Sequence, residues 1–156
     1  MASAIDLTTP LTTGANAGYL PNRNNQLWAG PSSYLRRRIF TVGGPEWGGV
    51  APAGGDTVKC FPFGQGEISE QVFANVVTGV GAACNFSVGD SGSATQYLSA
   101  VSAQTSSTNF LAAATTAKWY AYAADYLLVT IGATAATGLT LEVGSIVDQI
   151  IPYTNE

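Results

Sequence analysis

Residues 82–102, AACNFSVGDSGSATQYLSAVS, carry the plan of the chain in miniature. Ala82, Cys84, Phe86 and Val88 alternate with other residues at period two, the spacing of a strand that turns one face to a core. The run stops at Gly89-Asp90-Ser91-Gly92-Ser93 and resumes at Tyr97. A calcium loop here would need several converging oxygens, usually two or more from carboxylates, and Asp90 stands alone among serines. A phosphate cradle would need a glycine-rich loop that feeds a helix N-terminus and then a lysine, and no such lysine follows. Asp and Gly at a strand end suit an Asx-type turn instead, in which the side chain accepts backbone N–H groups and glycine supplies positive φ. The stretch therefore predicts strand, corner, strand, with no ligand at the corner.

The same alternation extends in both directions. Strand-like runs lie at Tyr34–Val42, Asp56–Phe63, Glu70–Thr78, Ala82–Val88, Gln96–Ser102, Lys118–Ala123, Tyr126–Ile131 and Leu139–Ile151. Val58 and Cys60 share one face of their run, and Val72, Ala74 and Val76 share one face of theirs. Turn residues separate the runs, and no amphipathic helix intervenes. Eight strands at this spacing predict an all-β fold, an antiparallel β-sandwich of jelly-roll type. Residues 43–55, GGPEWGGVAPAGG, read as an irregular loop. The Ser/Thr-rich stretch from Gln104 to Thr116 reads as a loop, with room for a helical turn at Phe110-Leu111-Ala112. Residues 1–34 read as an extended arm, with isolated anchors at Leu7, Leu11, Tyr19, Leu20, Leu27 and Trp28 that lack periodic contacts of their own and become ordered on a partner. The domain plan is an arm, 1–34, and a sandwich, 35–156.

Composition narrows the function. Only 10% of the 156 residues are charged while 46% are hydrophobic, against about 25% charged in an ordinary soluble domain. Such an exterior is poorly solvated for a free monomer, which predicts burial against other chains. A net charge of −4 opposes a nucleic-acid footprint, which clusters Lys and Arg. The chain has no histidine, so the usual neutral-pH acid/base, most triads and most zinc sites are missing. No G-x-S-x-G elbow is present either, and an enzyme is not expected. Cys60 and Cys84 sit in alternating apolar runs and read as buried free thiols. The start, Met1-Ala2-Ser3-Ala4, lacks the pattern of a signal peptide. The Ala-rich region 110–139 is interrupted by Lys118 and Asp125, so no membrane span is expected. The carboxylates Glu67, Glu70, Glu142 and Asp148 read as solvated edge positions, and no cofactor or metal is expected.

Candidate contact residues remain. Arg36-Arg37-Arg38 holds half of the positive charge, but in a strand Arg36 and Arg38 share one face and Arg37 takes the other. Two readings stay open: an edge strand whose charges block edge-to-edge pairing, or an anchor on an acidic partner. Trp119 alternates with aromatic neighbours and reads as core or subunit interface. Trp28 and Trp47 lie in loop-like surroundings and are the better partner-binding candidates, since buried aromatics anchor interfaces.

Three stretches carry a resemblance: DTVKCFPFGQGEI at 56–68, ANVVTGVGAACNFSVGDSGSATQYLSAV at 74–101, and YAYAADYLLVTIGATAATGLTLEVGSIVDQI at 120–150. They resemble the head decoration, or capsid cement, proteins of tailed bacteriophages over about the last two thirds of the chain. The resemblance implies a β-sandwich that binds the outside of an assembled capsid, often as a trimer, and stabilises it without catalysis. It implies the major capsid protein and further copies of the same chain as partners, and a virion component assembled in the host cytoplasm. The rival is a head-fibre or lectin-like module that binds host glycans through Tyr and Trp.

Overall fold

A computed structural model describes residues 4–6, 32–47, 51–106, 108–112, 118–120, 125–132 and 136–149. Among the described residues the chain forms ten strands: β1 Ala4–Asp6, β2 Ser32–Thr41, β3 Thr57–Phe63, β4 Glu67–Thr78, β5 Asn85–Gly89, β6 Leu98–Ser102, β7 Thr108–Leu111, β8 Lys118–Tyr120, β9 Asp125–Ile131 and β10 Thr140–Gln149. A 3₁₀ turn lies at Pro45–Trp47.

Eight of the strands form two antiparallel sheets, ordered β2-β10-β4-β7 and β3-β9-β5-β6. The first of these eight pairs with the last, β2 with β10, and the second with the second-last, β3 with β9. The third and third-last, β4 and β7, pair next, and β5 pairs with β6 at the centre. One long hairpin rolled about a core produces this order, which is that of the jelly roll. β1 adds in parallel to β3, and β8 pairs with Glu67–Ser69 at one end of β4.

Two sequence expectations change. The stretch read as a loop from Gln104 contains β7, a strand of the roll that pairs with Phe73–Val76. Of the run expected from Lys118 to Ala123, the described residues form the short β8, an addition to the roll and not one of its eight strands. β7 escaped notice because it is an edge strand of four residues whose polar positions, Thr108 and Asn109, dilute the apolar signal.

Between the sheets lie Phe40, Val58, Phe61, Phe63, Val72, Val76, Phe86, Val88, Leu127, Val129, Ile131, Leu139 and Leu141, all buried. Bulges decide which residues reach this layer. In β3 the register skips Cys60, so Cys60 and Phe61 both turn inward and the alternation resumes one residue later at Phe63. In β4 the register skips Glu70, which places Glu67 and Ser69 inside on one side of the bulge and Val72, Ala74 and Val76 inside on the other. Both cysteines are free and buried, as their runs predict.

The corner after β5 is an Asx turn. Asp90 is buried, and its Oδ1 accepts the N–H groups of Gly92 at 2.9 Å and Ser93 at 3.0 Å. The Asp90 N–H donates to the Ser93 carbonyl at 3.0 Å and closes the loop. Glycine is required at position 89 for space, not for positive φ: a Cβ there would lie 2.0 Å from the Ser93 carbonyl oxygen, which is backbone and cannot swing aside.

Candidate functional site

Strand β2 distributes the arginine triplet by alternation. Arg36 and Arg38 point between the sheets and Arg37 points out. Arg36 meets Glu67, which the β4 bulge has turned inward. Its two terminal nitrogens donate to Glu67 Oε2 at 2.7 Å and Oε1 at 2.8 Å, a bidentate fork. Tyr34 lies beneath the guanidinium and donates to Glu67 Oε1 at 2.5 Å, while the Gly64 N–H donates to Oε2 at 2.5 Å. Arg36 also donates to the Pro62 carbonyl, which ties β2 to β3 across the sandwich. Burial pushes the Glu67 carboxyl up, but the Tyr34, Gly64 and Arg36 hydrogen bonds outweigh it and hold the group below its ordinary value. Glu67, read from the sequence as solvated, is buried because the bulge inverts the face it occupies. With both carboxylate oxygens engaged, this cluster is a clamp between the sheets.

Arg38 is also buried, and its guanidinium nitrogens have no hydrogen-bond partner among the described residues. Burial drives the Cys60 thiol far up, and the Arg38 charge lowers it in part. Inward-pointing charge on an edge strand hinders pairing with another sheet edge. Trp47 is buried against Phe40, with ring centroids 6.3 Å apart. Trp28 lies outside the described residues. Of the five partner-binding candidates, Arg37 is the one among the described residues that stands exposed.

Arg37 opens onto the outer face of the β2-β10-β4-β7 sheet. Register lines up Ile39, Glu142, Asn75 and Asn109 in one row, Arg37, Gly144, Phe73 and Leu111 in the next, and Leu35, Ile146 and Gln71 in a third. Arg37 donates to Glu142 at 3.1 Å, and Asn75 donates to the other Glu142 oxygen at 2.9 Å. Gly144 lets the Phe73 ring lie across the strand, since a Cβ there would meet the ring at 2.3 Å. Around this pairing stand Leu35, 56% exposed, Ile39, 44%, and Leu111, 62%. Val77, displaced by a second β4 bulge, is 46% exposed on the same sheet.

The outer face of the opposite sheet differs in chemistry. Its rows carry Thr57, Thr130 and Ser87, then Lys59 and Leu128, with Lys59 over the Tyr126 ring at 4.9 Å. Among the described residues the exposed large apolar side chains thus all belong to the β2-β10-β4-β7 sheet. Sequence reasoning found Arg37 but missed Leu35, Ile39, Val77 and Leu111. Alternation through β2 was the available signal, because inward arginines send Leu35 and Ile39 outward. Among the described residues no three His, Cys, Asp or Glu side chains gather as metal ligands.

No family model matches the chain, and no curated protein does. Solved structures share its architecture. A chain in the capsid of Ralstonia phage GP4 superposes with a TM-score of 0.60 at 16% identity, over 94% of this chain and 99% of that one. A chain in the cyanophage Pam1 capsid asymmetric unit gives 0.57 at 20% identity, over 92% and 100%. A chain in the acidic stable capsid structure of Helicobacter pylori bacteriophage KHP30 gives 0.55 at 12% identity, over 76% and 87%. At these identities the likeness establishes a common fold.

Proposed function

We propose that this chain is a bacteriophage virion protein that acts structurally, by seating on the outside of the assembled head and bridging neighbouring major capsid subunits. The observation that carries the proposal is the concentration of Leu35, Ile39, Val77 and Leu111 on one sheet. Exposed apolar side chains scattered singly need no explanation, whereas a grouped set marks a contact surface. Fold neighbours that all come from phage capsids support the assignment to a head, and the low charge of the chain supports burial among subunits.

Magnitude argues for several linked copies. Burying a large aliphatic side chain from full exposure contributes roughly 1.5–3 kcal/mol, so four half-exposed ones contribute on the order of 4 kcal/mol. Association alone costs an estimated 4–15 kcal/mol. One face by itself would bind weakly. A homotrimer presenting three faces would bind tightly, because the second and third contacts form at high effective concentration. The arm expected from the sequence before β2 would add a further point of attachment. The stabilisation is mass action: a ligand of the assembled state alone shifts the equilibrium toward that state.

The test is co-sedimentation with heads that lack the protein. Leu35→Glu with Leu111→Glu should reduce binding at least tenfold while leaving the unfolding temperature within a few degrees, since both side chains are exposed. Undiminished binding by the folded double variant would refute the role of this face.

A further inference from the structure

We propose that the edge of β3 at Thr57–Lys59, where β1 docks, is an exchange site, filled in the assembled state by the N-terminal strand of a second copy of this chain. The exchange rests on the reading above, that copies stand side by side on a shell.

Within its sheet β3 is flanked by β9 on one side and, among the described residues, by the short β1 on the other. The slot there is three residues long, Ala4 with Thr57, Ile5 with Val58 and Asp6 with Lys59. Its far limit is built into β3. The bulge at Cys60 breaks the ladder immediately after Lys59, and Pro62 has no N–H to offer a longer partner. On the near side Asp56 is buried and occupied by the Ala53 N–H at 2.7 Å. The edge therefore accepts a short strand and rejects a long one.

β1 is joined to β2 by residues 7–31, and that connection is far longer than the path demands. β1 runs parallel to β3. β2 runs opposite to β3, because Arg36 reaches Pro62 while Arg38 lies beside Cys60. The chain leaving Asp6 is therefore already directed toward the end of the sandwich where Ser32 begins β2. About 25 Å separates the two at ~3.3 Å per residue along a strand and ~10 Å between sheets. Some 25 residues can span about 80 Å when extended. The surplus lets the same three residues reach the β3 edge of an adjacent copy.

The energetics of three residues permit the swap. A few backbone hydrogen bonds at about 1 kcal/mol each are set against about 1–2 kcal/mol of ordering per residue, so docking in cis is nearly balanced. The contacts in trans are the same contacts, and exchange of an identical element is a low-cost route to association. The outcome is decided by concentration: a linker holds its own strand at an effective concentration of about millimolar or less, falling with linker length, so neighbours must reach that level to compete. Copies packed on one shell do.

The test uses the full-length chain without capsids, so failure of head binding and failure of exchange read separately. Ala4→Cys and Thr57→Cys, made in separate chains of different mass, are mixed under mild oxidation at ~20 μM and again at ~2 mM, on either side of the tether's effective concentration. Register partners in a ladder lie within disulfide reach. The native thiols are buried, and burial raises both, so they stay unreactive. A 4–57 link between unlike chains is expected, its yield rising at least ~10-fold with concentration. Ile5→Pro in the Ala4→Cys chain should abolish that link. If the chain carrying both cysteines closes wholly within itself at both concentrations and the mixture gives no heterodimer, exchange is excluded. Absence of a 4–57 link in every sample would overturn the slot itself.

Discussion

At Glu67 the two carboxylate oxygens receive four donors from Tyr34, Gly64 and Arg36. Period-two counting back from Val76, Ala74 and Val72 reaches Glu70 and Ile68, and would leave Glu67 outside. The inserted residue at Glu70 reverses that assignment, and no local sequence signal marks the insertion. The arginine triplet was legible as an alternation with Arg36 and Arg38 on one face, but the counter-charge that Arg36 meets there, Glu67, depended on this unseen bulge. The consequence of the clamp is acid sensitivity. Because the folded carboxyl titrates below its ordinary value of 4.5, its stabilisation is complete above that pH and is lost as the pH falls through the folded value. Glu67→Gln should cost roughly 3–5 kcal/mol at pH 7, since it leaves Arg36 buried without a counter-charge. The gap between wild type and variant in urea unfolding should then narrow steadily below pH 4.5. A gap that stays constant with pH would show that the carboxylate charge contributes nothing.

At the scale of elements, long inward-facing runs were readable and irregular ones were not. β9 and β10 fall within two residues of their expected bounds because each alternates without a break on its buried side. β6 is shorter than expected because Gln96 belongs to the corner, its N–H donating to the Ser93 carbonyl at 3.2 Å, and its pairing with β5 is bulged, with Phe86 opposite Val101 but Val88 opposite Leu98. Ala100 sits in that bulge at φ 47°, the left-handed region, with its N–H donated to Ser87 Oγ at 2.9 Å. Nothing in Ala100 announces such a conformation, since glycine is the usual occupant. That conformation costs a non-glycine residue roughly 1–2 kcal/mol, more than the entropy that glycine adds to the unfolded chain. Ala100→Gly should therefore raise stability by about 0.5–1 kcal/mol. Ala100→Val, β-branched and harder to place there, should lower it by more than about 1 kcal/mol. Urea midpoints of the three proteins give the order directly, and a Gly variant weaker than wild type would remove the strain from the account.

Across the whole molecule, the low charge density foretold that some surface would be apolar, yet it could not say where. Only the roll, which stacks β2, β10, β4 and β7 in that order, brings Leu35, Ile39, Phe73, Ile146 and Leu111 onto one side. The same side holds Arg37, and here the structure separates two modes of attachment that composition left open. An arginine anchor would draw on charge attraction, which salt screens over a Debye length of about 10 Å at 0.1 M. Arg37, however, is already paired with Glu142 inside the chain, so a docking partner gains little net charge from it. Binding to heads through this face should therefore change by less than about threefold between ~0.05 and ~0.5 M NaCl. It should also show a negative heat-capacity change by calorimetry, the mark of buried apolar surface. A loss of tenfold or more over the same salt range would mean that ion pairs across the interface dominate. In that case removal of Arg37 would weaken binding more than removal of Leu35 and Leu111 together, and the apolar rows would serve only to exclude water around it.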